Sequence, residues 1–342
     1  MALQFGIGIP TGTEGLMYPV PFAHATDNIR LAQAAERLGY DSVWGNDHVS
    51  TQHYVRAEAP QPPRYYAPLL VLAAIAAATQ RVKLATALLV APFRHPVVIA
   101  KEVATLDQLS GGRLLLGVGI GAYREEFEAM FGAAQAKKVN RGELLDEALA
   151  ALEQLWGEGD ASHAGKYFTF ESVQSYPKPV QQPVPIYIGG NAPEGWRRCG
   201  RFGSGWLPAV LSPAEIRQGR GEIQRYLEQY GRGAATIDVA PQLVVSLGKT
   251  HAEAVAHFER SQVFKHLQSL RQSTLKGQSQ GTFEERSLIG TPDEVCEQVQ
   301  RYAAAGVSTF SAMLFADNSV EGFIESMQWF SESVIQRVSG AK

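Results

Sequence analysis

Residues 96–121 read PVVIAKEVATLDQLSGGRLLLGVGIG, a helix signal followed directly by a strand signal. Pro96 suits a first helical turn, where the backbone N–H groups have no partner within the helix. The Gly111-Gly112 pair ends the helical pattern over Pro96–Leu109. Arg113–Gly119 is then a continuous apolar run, which predicts a strand covered on both faces, as in a parallel sheet.

The same alternation of short apolar runs and longer helical patterns extends along the chain. The strand candidates are Leu3–Ile9, Asp41–Asn46, Val82–Val90, Arg113–Gly119, Val184–Gly189, Gly205–Pro208, Ile237–Leu247 and Val307–Leu314. The helical patterns that separate them include Asp27–Leu38, Pro96–Leu109, Asn140–Trp156, Pro193–Arg201, Pro213–Tyr230, Thr250–Leu270, Thr291–Ala305 and Val320–Val338. About eight strands with following helices in 342 residues predict an α/β chain folded as a (β/α)8 TIM barrel. A doubly wound open sheet shares the alternation but usually needs fewer strands or a second domain.

We predict one barrel domain over residues 1–342, because no linker rich in Pro, Ser or Gly divides the chain. Two stretches exceed what a barrel needs, at about residues 157–183 and 265–288. The second is polar, with Gln, Ser and Gly clustered between Gln268 and Thr282, and it predicts a mobile loop or lid.

Composition limits the functional classes. Lys plus Arg is 31 and Asp plus Glu is 34, so the net charge of -3 argues against a nucleic-acid binder. Cys199 and Cys296 cannot form a disulfide framework, which favours a reduced, cytoplasmic setting. The start MALQFGIGIPTG lacks the pattern of a signal peptide, and no apolar run reaches the roughly 18 residues of a membrane span. We therefore expect a soluble cytoplasmic protein with no nucleic-acid or membrane partner.

Asp47 and His48 are the most polar pair directly after an apolar strand. The active site of a barrel lies at the C-terminal ends of its strands, so this pair is a candidate for chemistry. A histidine at such a place can move a proton near neutral pH. A loop pair that caps the next segment is an equal alternative. We expect no metal site, because no second histidine or carboxylate stands nearby at a ligand spacing.

Two glycine clusters end later strands. Gly117-x-Gly119-x-Gly121 resembles only half of a dinucleotide fingerprint, because the required acid about 20 residues on is absent. Glycines there would let the backbone approach a flat ring or a phosphate closely. Gly189-Gly190-Asn191 leads into a helix opened by Pro193, which predicts an anion site at a helix N-terminus. Tight turns without a ligand are the alternative for both clusters.

The ordered set of motifs resembles the bacterial luciferase-like superfamily of flavin- and deazaflavin-dependent oxidoreductases. The most specific motif is Thr105-Leu106-Asp107-Gln108-Leu109-Ser110-Gly111-Gly112-Arg113. The resemblance covers nearly the whole chain, through residues 5–10, 42–48, 86–92, 94–96, 104–113, 117–121, 177–181, 185–190 and 290–294. It implies a (β/α)8 barrel with an insertion that binds FMN or the deazaflavin coenzyme F420.

The Trp-x-x-Asp-His pattern ending at His48 looks most like the coenzyme F420 branch. In that branch the Asp-His pair, here Asp47 and His48, lies by the reactive ring. The resemblance implies a cis peptide at Ala87–Leu88 that supports the ring. The expected cofactor-binding residues are Thr86, Ala87, Leu88, Gly117, Gly119, Ile120, Gly121, Gly189, Gly190 and Asn191. The expected substrate-facing residues are Arg56, Tyr65, Tyr66 and Trp206.

Two departures from known members limit what the resemblance implies. Ile120 stands where luciferase has an arginine for the FMN phosphate, which weakens an FMN reading. Ala122 stands where a sugar-phosphate dehydrogenase of the deazaflavin branch has a catalytic glutamate, so that substrate is not carried over.

We therefore predict an oxidoreductase that transfers a hydride between coenzyme F420 and a small organic substrate, with His48 as proton donor or acceptor and Asp47 orienting it or the ring edge. One alternative is an FMN-dependent monooxygenase that uses O2 and reduced flavin from a partner reductase. Another is a flavin-binding protein without catalysis. The resemblance also suggests a homodimer.

Overall fold

Parallel strands form a closed barrel in the computed structural model, which describes residues 2–272 and 282–339. The strands are β1 (Gln4–Ile9), β2 (Ser42–Gly45), β3 (Lys83–Thr86), β4 (Leu89–Val90), β5 (Leu114–Gly119), β6 (Ala161–Ala164), β7 (Thr169–Val173), β8 (Ile186–Gly189), β9 (Gly205–Leu207), β10 (Asp238–Val239), β11 (Gln242–Leu247), β12 (Leu288–Gly290) and β13 (Thr309–Phe315). The helices are α1 (Ala25–Arg37), α2 (His53–Glu58), α3 (Pro68–Ala78), α4 (Pro96–Ser110), α5 (Arg124–Phe131), α6 (Ala133–Ala136), α7 (Arg141–Trp156), α8 (Pro193–Phe202), α9 (Pro213–Gln229), α10 (His251–Glu259), α11 (Gln262–Gln272), α12 (Pro292–Ala304), α13 (Val320–Phe330) and α14 (Gln336–Ser339).

The barrel closes through a strand that proline interrupts. β10 pairs with β9, whereas β11 pairs with β13, so the two pieces together join the two ends of the sheet. Pro241 lies between the pieces and has no N–H to donate. Its carbonyl accepts from Ser311 N, and Ala240 N donates to the Trp206 carbonyl, which carries the ladder across the interruption. The predicted (β/α)8 barrel is therefore confirmed, although Ile237–Leu247 is not one continuous strand.

Other predicted boundaries need correction. Val82–Val90 divides into β3 and β4, because the backbone turns at a cis Ala87–Leu88 peptide. Thr250–Leu270 divides into α10 and α11 around Ser261, so the first part of the expected lid is helical. Residues 273–281 of that expected lid lie outside the described residues, and its last part contains a short helical turn at Glu284–Arg286 and the first residue of β12. The first insertion contains an unpredicted antiparallel hairpin of β6 and β7.

Two apolar layers stabilise the barrel. Inside it, Trp44 packs edge-on against Tyr187, with Leu115, Leu207 and Ala312 in the same buried cluster. Outside it, the opposite faces of the strands pack against the helices in one large core. All six residues of β5 are buried, which explains its continuous apolar sequence. No helix in the described part of the chain is long and apolar enough to span a bilayer.

The most specific sequence motif lies at the N-terminal end of the barrel strands, opposite the expected site. Asp107 is fully buried and accepts hydrogen bonds from Gln181 N (2.9 Å) and Gln181 Nε2 (2.8 Å). Gly111 adopts the left-handed conformation that ends α4. Arg113 donates to the carbonyls of Ser110, Ala76, Thr79 and Val82. This motif therefore stabilises the fold and does not contribute to the chemistry.

Candidate functional site

The loops that follow β1 and β2 form one side of the barrel mouth. The Asn46 side chain joins them, because Oδ1 accepts from Gly12 N (3.1 Å) and Nδ2 donates to the Gly12 carbonyl (3.0 Å). Thr11 Oγ1 also donates to the Asn46 carbonyl (2.8 Å). These bonds fix the backbone on both sides of Asp47 and His48. The pair therefore starts from a rigid loop, as a catalytic group requires.

His48 is oriented by Glu126, a residue that the sequence reasoning missed. The imidazole Nδ1 lies 3.1 Å from Glu126 Oε2 and 3.3 Å from Oε1. Glu126 is buried, with 1% exposure, and also accepts from Val49 N (2.9 Å). A carboxylate only accepts, so this contact requires the proton on Nδ1 of the histidine. The same Nδ1 lies 3.1 Å from Gln52 Nε2, an amide nitrogen that only donates, and we infer that the charged carboxylate, as the stronger acceptor, holds the Nδ1 proton. This arrangement leaves Nε2 as the nitrogen that is free to exchange a proton.

Asp47 has a different partner from the one expected. Its carboxylate accepts from Arg94 at two points, 2.6 Å for Oδ2 and 3.0 Å for Oδ1, and from Val90 N (3.0 Å). Asp47 is 3% exposed, and its described contacts are these, with none to His48. Of the two expected roles of Asp47, orienting His48 is therefore wrong, and orienting the ring edge stays a prediction. Asp47 instead fixes β4 and the segment that follows the cis peptide.

The Thr86–Leu88 segment crosses the barrel mouth, and its cis Ala87–Leu88 peptide agrees with the expectation from the resemblance. Thr86 Oγ1 donates to the Gly117 carbonyl (2.7 Å), which fixes the segment to β5. A Cβ at Gly119 would lie 2.6 Å from Leu88 Cδ1, and a Cβ at Gly189 would lie 2.3 Å from the same atom. Gly119 and Gly189 thus make room for the Leu88 side chain.

Gly117 belongs to the barrel wall. A Cβ there would lie 1.9 Å from the Thr86 carbonyl oxygen, so the close approach of two strands requires this glycine. Gly117 therefore has a packing role, and the expected ligand contact at this residue stays a prediction. Gly121 has φ +76 and lies close to Val90 and Phe127, whereas the Ile120 side chain is 38% exposed.

The end of β8 is tied to the end of β9. Asn191 Nδ2 donates to the Ala209 carbonyl (2.8 Å), and its Oδ1 accepts from Ala209 N (3.2 Å). Gly190 is exposed, with φ +126, a conformation that glycine adopts without strain. The helix α8 that follows begins after Ala192, which provides no side-chain cap for its first N–H groups. Pro193 has no N–H and Gly195 N donates to the Ala192 carbonyl (2.9 Å), so Glu194 N is the N–H of this first turn that is left for an anion such as a phosphate.

Trp206 does not line the mouth. Its side chain is fully buried, donates from Nε1 to the Gly190 carbonyl (2.8 Å) and packs against Gly219 of α9. The neighbouring Leu207 faces the barrel interior. Successive residues of a strand point to opposite faces, so Trp206 must point outward. The expected substrate role for Trp206 is wrong.

The three remaining residues that were expected to face the substrate lie in different places. The Tyr65 ring lies 5.5 Å from the His48 ring, and its hydroxyl donates to Gln52 Oε1 (2.8 Å). The Tyr66 hydroxyl donates to the Ala23 carbonyl (3.3 Å), in the segment before α1. Arg56 is an exposed residue of α2. Only Tyr65 is brought next to His48.

Tyr54, Tyr123 and His266 join this cluster, although the sequence reasoning did not select them. Tyr123 lies 5.7 Å from the His48 ring, between ring centroids. Burial raises the pKa of Tyr54, Tyr65 and Tyr123 above the usual value, so all three hydroxyls stay protonated. Burial, with the nearby His48, lowers the pKa of His266 to about 4. The cluster therefore offers neutral hydrogen-bonding groups at neutral pH.

Comparison with known proteins agrees with this geometry. The luciferase-like monooxygenase family model matches residues 3–309. The chain belongs to this family. A flavin-dependent trigonelline monooxygenase, oxygenase component, from Acinetobacter baylyi is 28% identical, over 90% of this chain and 91% of that protein. An F420-dependent glucose-6-phosphate dehydrogenase from Kineococcus radiotolerans is 33% identical, but the alignment spans 66% of this chain and 65% of that protein.

The fold of this luciferase-like protein also matches solved structures. A monooxygenase from Streptomyces bottropensis superposes with a TM-score of 0.78 at 22% identity, over 98% of this chain and 99% of that one. The protein is thus an enzyme of an oxidoreductase family whose members use F420 or a flavin. The residues present fit such a group, because an apolar segment at Ala87–Leu88 suits a flat ring and the first turn of α8 suits a phosphate.

Proposed function

We propose that this enzyme transfers a hydride between coenzyme F420 and a small organic substrate. The observation that carries the proposal is the His48–Glu126 pair, a buried carboxylate that fixes an imidazole at the end of β2. The bound deazaflavin would supply the hydride chemistry, and the protein supplies position and proton transfer. Ala87 and Leu88 would support the ring, and Gly190 with the first turn of α8 would bind the cofactor tail.

His48 would exchange a proton through Nε2. When Nε2 accepts a proton, the imidazolium that forms lies against the Glu126 carboxylate, whose charge stabilises it. When Nε2 donates a proton, the Nδ1–H bond to Glu126 holds the ring in place. The pair can therefore act in either direction of a hydride transfer, with only a small movement of side chains.

F420 is favoured over FMN by Ile120. Its exposed side chain is apolar at the position where luciferase has the arginine for the FMN phosphate. The named F420-dependent relatives above 30% identity point the same way. We also propose that the chain forms a single domain, lies in the cytoplasm and forms a homodimer. The outer face of α3, with Leu70 at 74% exposure, is apolar enough for a dimer contact.

A flavin-dependent monooxygenase is the second candidate, because one observation favours it. Arg141 Nη1 donates to the Gly121 carbonyl (2.7 Å), next to Ile120, and the described residues include no carboxylate paired with it. This guanidinium could bind a flavin phosphate in place of the missing arginine. The monooxygenase relative that matches most of the chain is named as an oxygenase component. This second function would require a partner reductase and O2.

His48→Ala, compared with His53→Ala, tests the proposed proton transfer. His53 is an exposed histidine of α2 and serves as the matched control. Anaerobic turnover of alcohol and carbonyl compounds with F420 should fall by about 100-fold or more in His48→Ala, as for loss of a general acid or base. His53→Ala should stay close to wild type. Unchanged turnover in His48→Ala with F420 still bound would remove His48 from the mechanism, and turnover only with FMN and O2 would favour the second candidate.

A further inference from the structure

A row of hydrogen-bonding side chains lies next to His48, and the proposed proton transfer does not use it. The Tyr54 hydroxyl lies 3.3 Å from the Tyr123 hydroxyl and 3.2 Å from His266 Nδ1. The three residues come from α2, from the loop after β5 and from α11. Separate elements thus converge on one point beside the candidate catalytic histidine.

The Tyr123 hydroxyl has capacity for one more partner. A hydroxyl donates one hydrogen and accepts up to two, so the single Tyr54 proton goes either to His266 or to Tyr123. If Tyr54 donates to His266, Tyr123 donates to Tyr54 and keeps free lone pairs. If His266 donates to Tyr54, Tyr54 donates to Tyr123, whose own proton is then free. The row can therefore accept a hydrogen bond from an alcohol or donate one to a carbonyl.

Several carboxylates act on these hydroxyls, and His48 is the neighbouring group that can carry a positive charge. Glu126 and Glu125 act on Tyr123, and Glu58 acts on Tyr54. Tyr65, on the other side of His48, lies in the field of Glu126 and Glu14. His266 is uncharged above about pH 4, since its pKa is lowered to about 4, and adds no positive charge. A phosphate dianion would be repelled here, whereas an uncharged oxygen group would only need hydrogen bonds.

Tyrosine rings lie close to the His48 ring. The rings of Tyr65 and Tyr123 lie 5.5 Å and 5.7 Å from the His48 ring, and Tyr54 lies 6.3 Å from Tyr123. Aromatic faces favour apolar or cyclic carbon frames over extended polar ones.

We propose that Tyr123, held in place by Tyr54 and His266, binds the oxygen of the substrate, and that the substrate is an uncharged cyclic alcohol or carbonyl compound, not a phosphorylated sugar. The proposal rests on the proposed function, because it places the substrate beside His48. It differs from the activity in the name of the F420-dependent relative, glucose-6-phosphate dehydrogenase. The missing glutamate at Ala122 agrees with a change of substrate.

Ligand-detected NMR of the full chain, with and without F420, tests this proposal. The probes are cyclohexanol, cyclohexanone, glucose and glucose 6-phosphate. The variants are Tyr123→Phe and Tyr54→Phe, with Tyr226→Phe of α9 as the matched control. Urea unfolding of each variant separates a binding defect from a folding defect.

The wild type should bind cyclohexanol or cyclohexanone, and Tyr123→Phe should weaken that binding by about 3- to 10-fold, the factor for one neutral hydrogen bond. Tyr226→Phe should bind like the wild type, and glucose 6-phosphate should bind no better than glucose. Three results would each overturn the proposal. The first is tighter binding of glucose 6-phosphate than of glucose, and the second is equal binding of the cyclic probes by both tyrosine variants and the wild type. The third is no binding of either cyclic probe. Probe binding without F420 is independent of the cofactor, so failure of the F420 assignment would appear separately.

Discussion

Replacing Glu126 with glutamine removes the charge that fixes His48 while keeping the size of the side chain. Glu126 accepts from three donors, His48 Nδ1 (3.1 Å), Val49 N (2.9 Å) and Ser50 N (3.5 Å). The glutamine keeps a single carbonyl oxygen and adds an NH2 group, which cannot accept. If the carbonyl oxygen stays with Val49 N and Ser50 N at the Oε1 position, the NH2 group faces His48 Nδ1 in place of Oε2, and the charged acceptor of the Nδ1 proton is lost.

The expected cost follows from burial. Glu126 is 1% exposed and His48 has a side-chain exposure of 14%, so water replaces the lost contact poorly. A hydrogen bond to a charged group contributes about 1.5–3 kcal/mol, and one such bond is lost. The free energy of unfolding should therefore fall by about 1.5–3 kcal/mol in Glu126→Gln. Glu125→Gln is the matched control, because Glu125 contacts His53 N and does not contact His48.

Two assays separate stability from orientation. Urea unfolding measures the free energy, and ¹⁵N NMR of the histidine side chains reports which His48 nitrogen carries the proton. The wild type should show His48 with its proton on Nδ1, and Glu126→Gln should lose this fixed tautomer, whereas Glu125→Gln should keep it. A Glu126→Gln variant with wild-type stability and the same His48 tautomer would refute the orienting role.

Three further substitutions test the Asp47–Arg94 ion pair, the packing of Gly189 against Leu88 and the burial of His266. Asp47→Asn should lower the free energy of unfolding by about 2–3 kcal/mol, since Arg94 loses a carboxylate partner that is nearly buried; a loss below 0.5 kcal/mol in urea unfolding would contradict the ion pair. Gly189→Ala should reduce F420 affinity by about tenfold or more in a fluorescence titration, because a Cβ there meets Leu88 at 2.3 Å; unchanged affinity would show that Leu88 does not support the ring. His266 has a lowered pKa of about 4, so the folded state binds fewer protons than the unfolded state, and stability should fall as the pH drops from about 6.5 to 4. His266→Gln should lose this part of the pH dependence of urea unfolding, and an identical pH profile would show that His266 is not buried as a neutral group.

The barrel could be predicted from sequence because its strands are buried on both faces. β5 is a continuous apolar run, and α12 begins at Thr291 with the cap that its Thr-Pro-Asp-Glu sequence predicts. The β6–β7 hairpin could not be predicted in the same way. Most of its residues are exposed or half-buried, so they carry no continuous apolar signal. Antiparallel pairing of this kind leaves a weak pattern in a single sequence.

Part of the site was also predictable, because His48 follows β2 directly and barrel chemistry lies at such strand ends. The partner of His48 was not predictable, because Glu126 lies 78 residues further along the chain and is brought in by the packing of α5. Asp47 is adjacent in sequence but turns to Arg94, which sequence proximity does not show. The error at Trp206 has a different cause, since a shift of one residue in a short strand exchanges the inward and outward faces.

The proposed hydride transfer requires that this luciferase-like enzyme binds a deazaflavin. The most direct test is a parallel fluorescence titration of the purified apoprotein with coenzyme F420 and with FMN. The account predicts tight, saturable binding of F420 and much weaker binding of FMN. Tight binding of FMN alone would contradict it and would support an oxygen-dependent monooxygenase with Arg141 at the flavin phosphate.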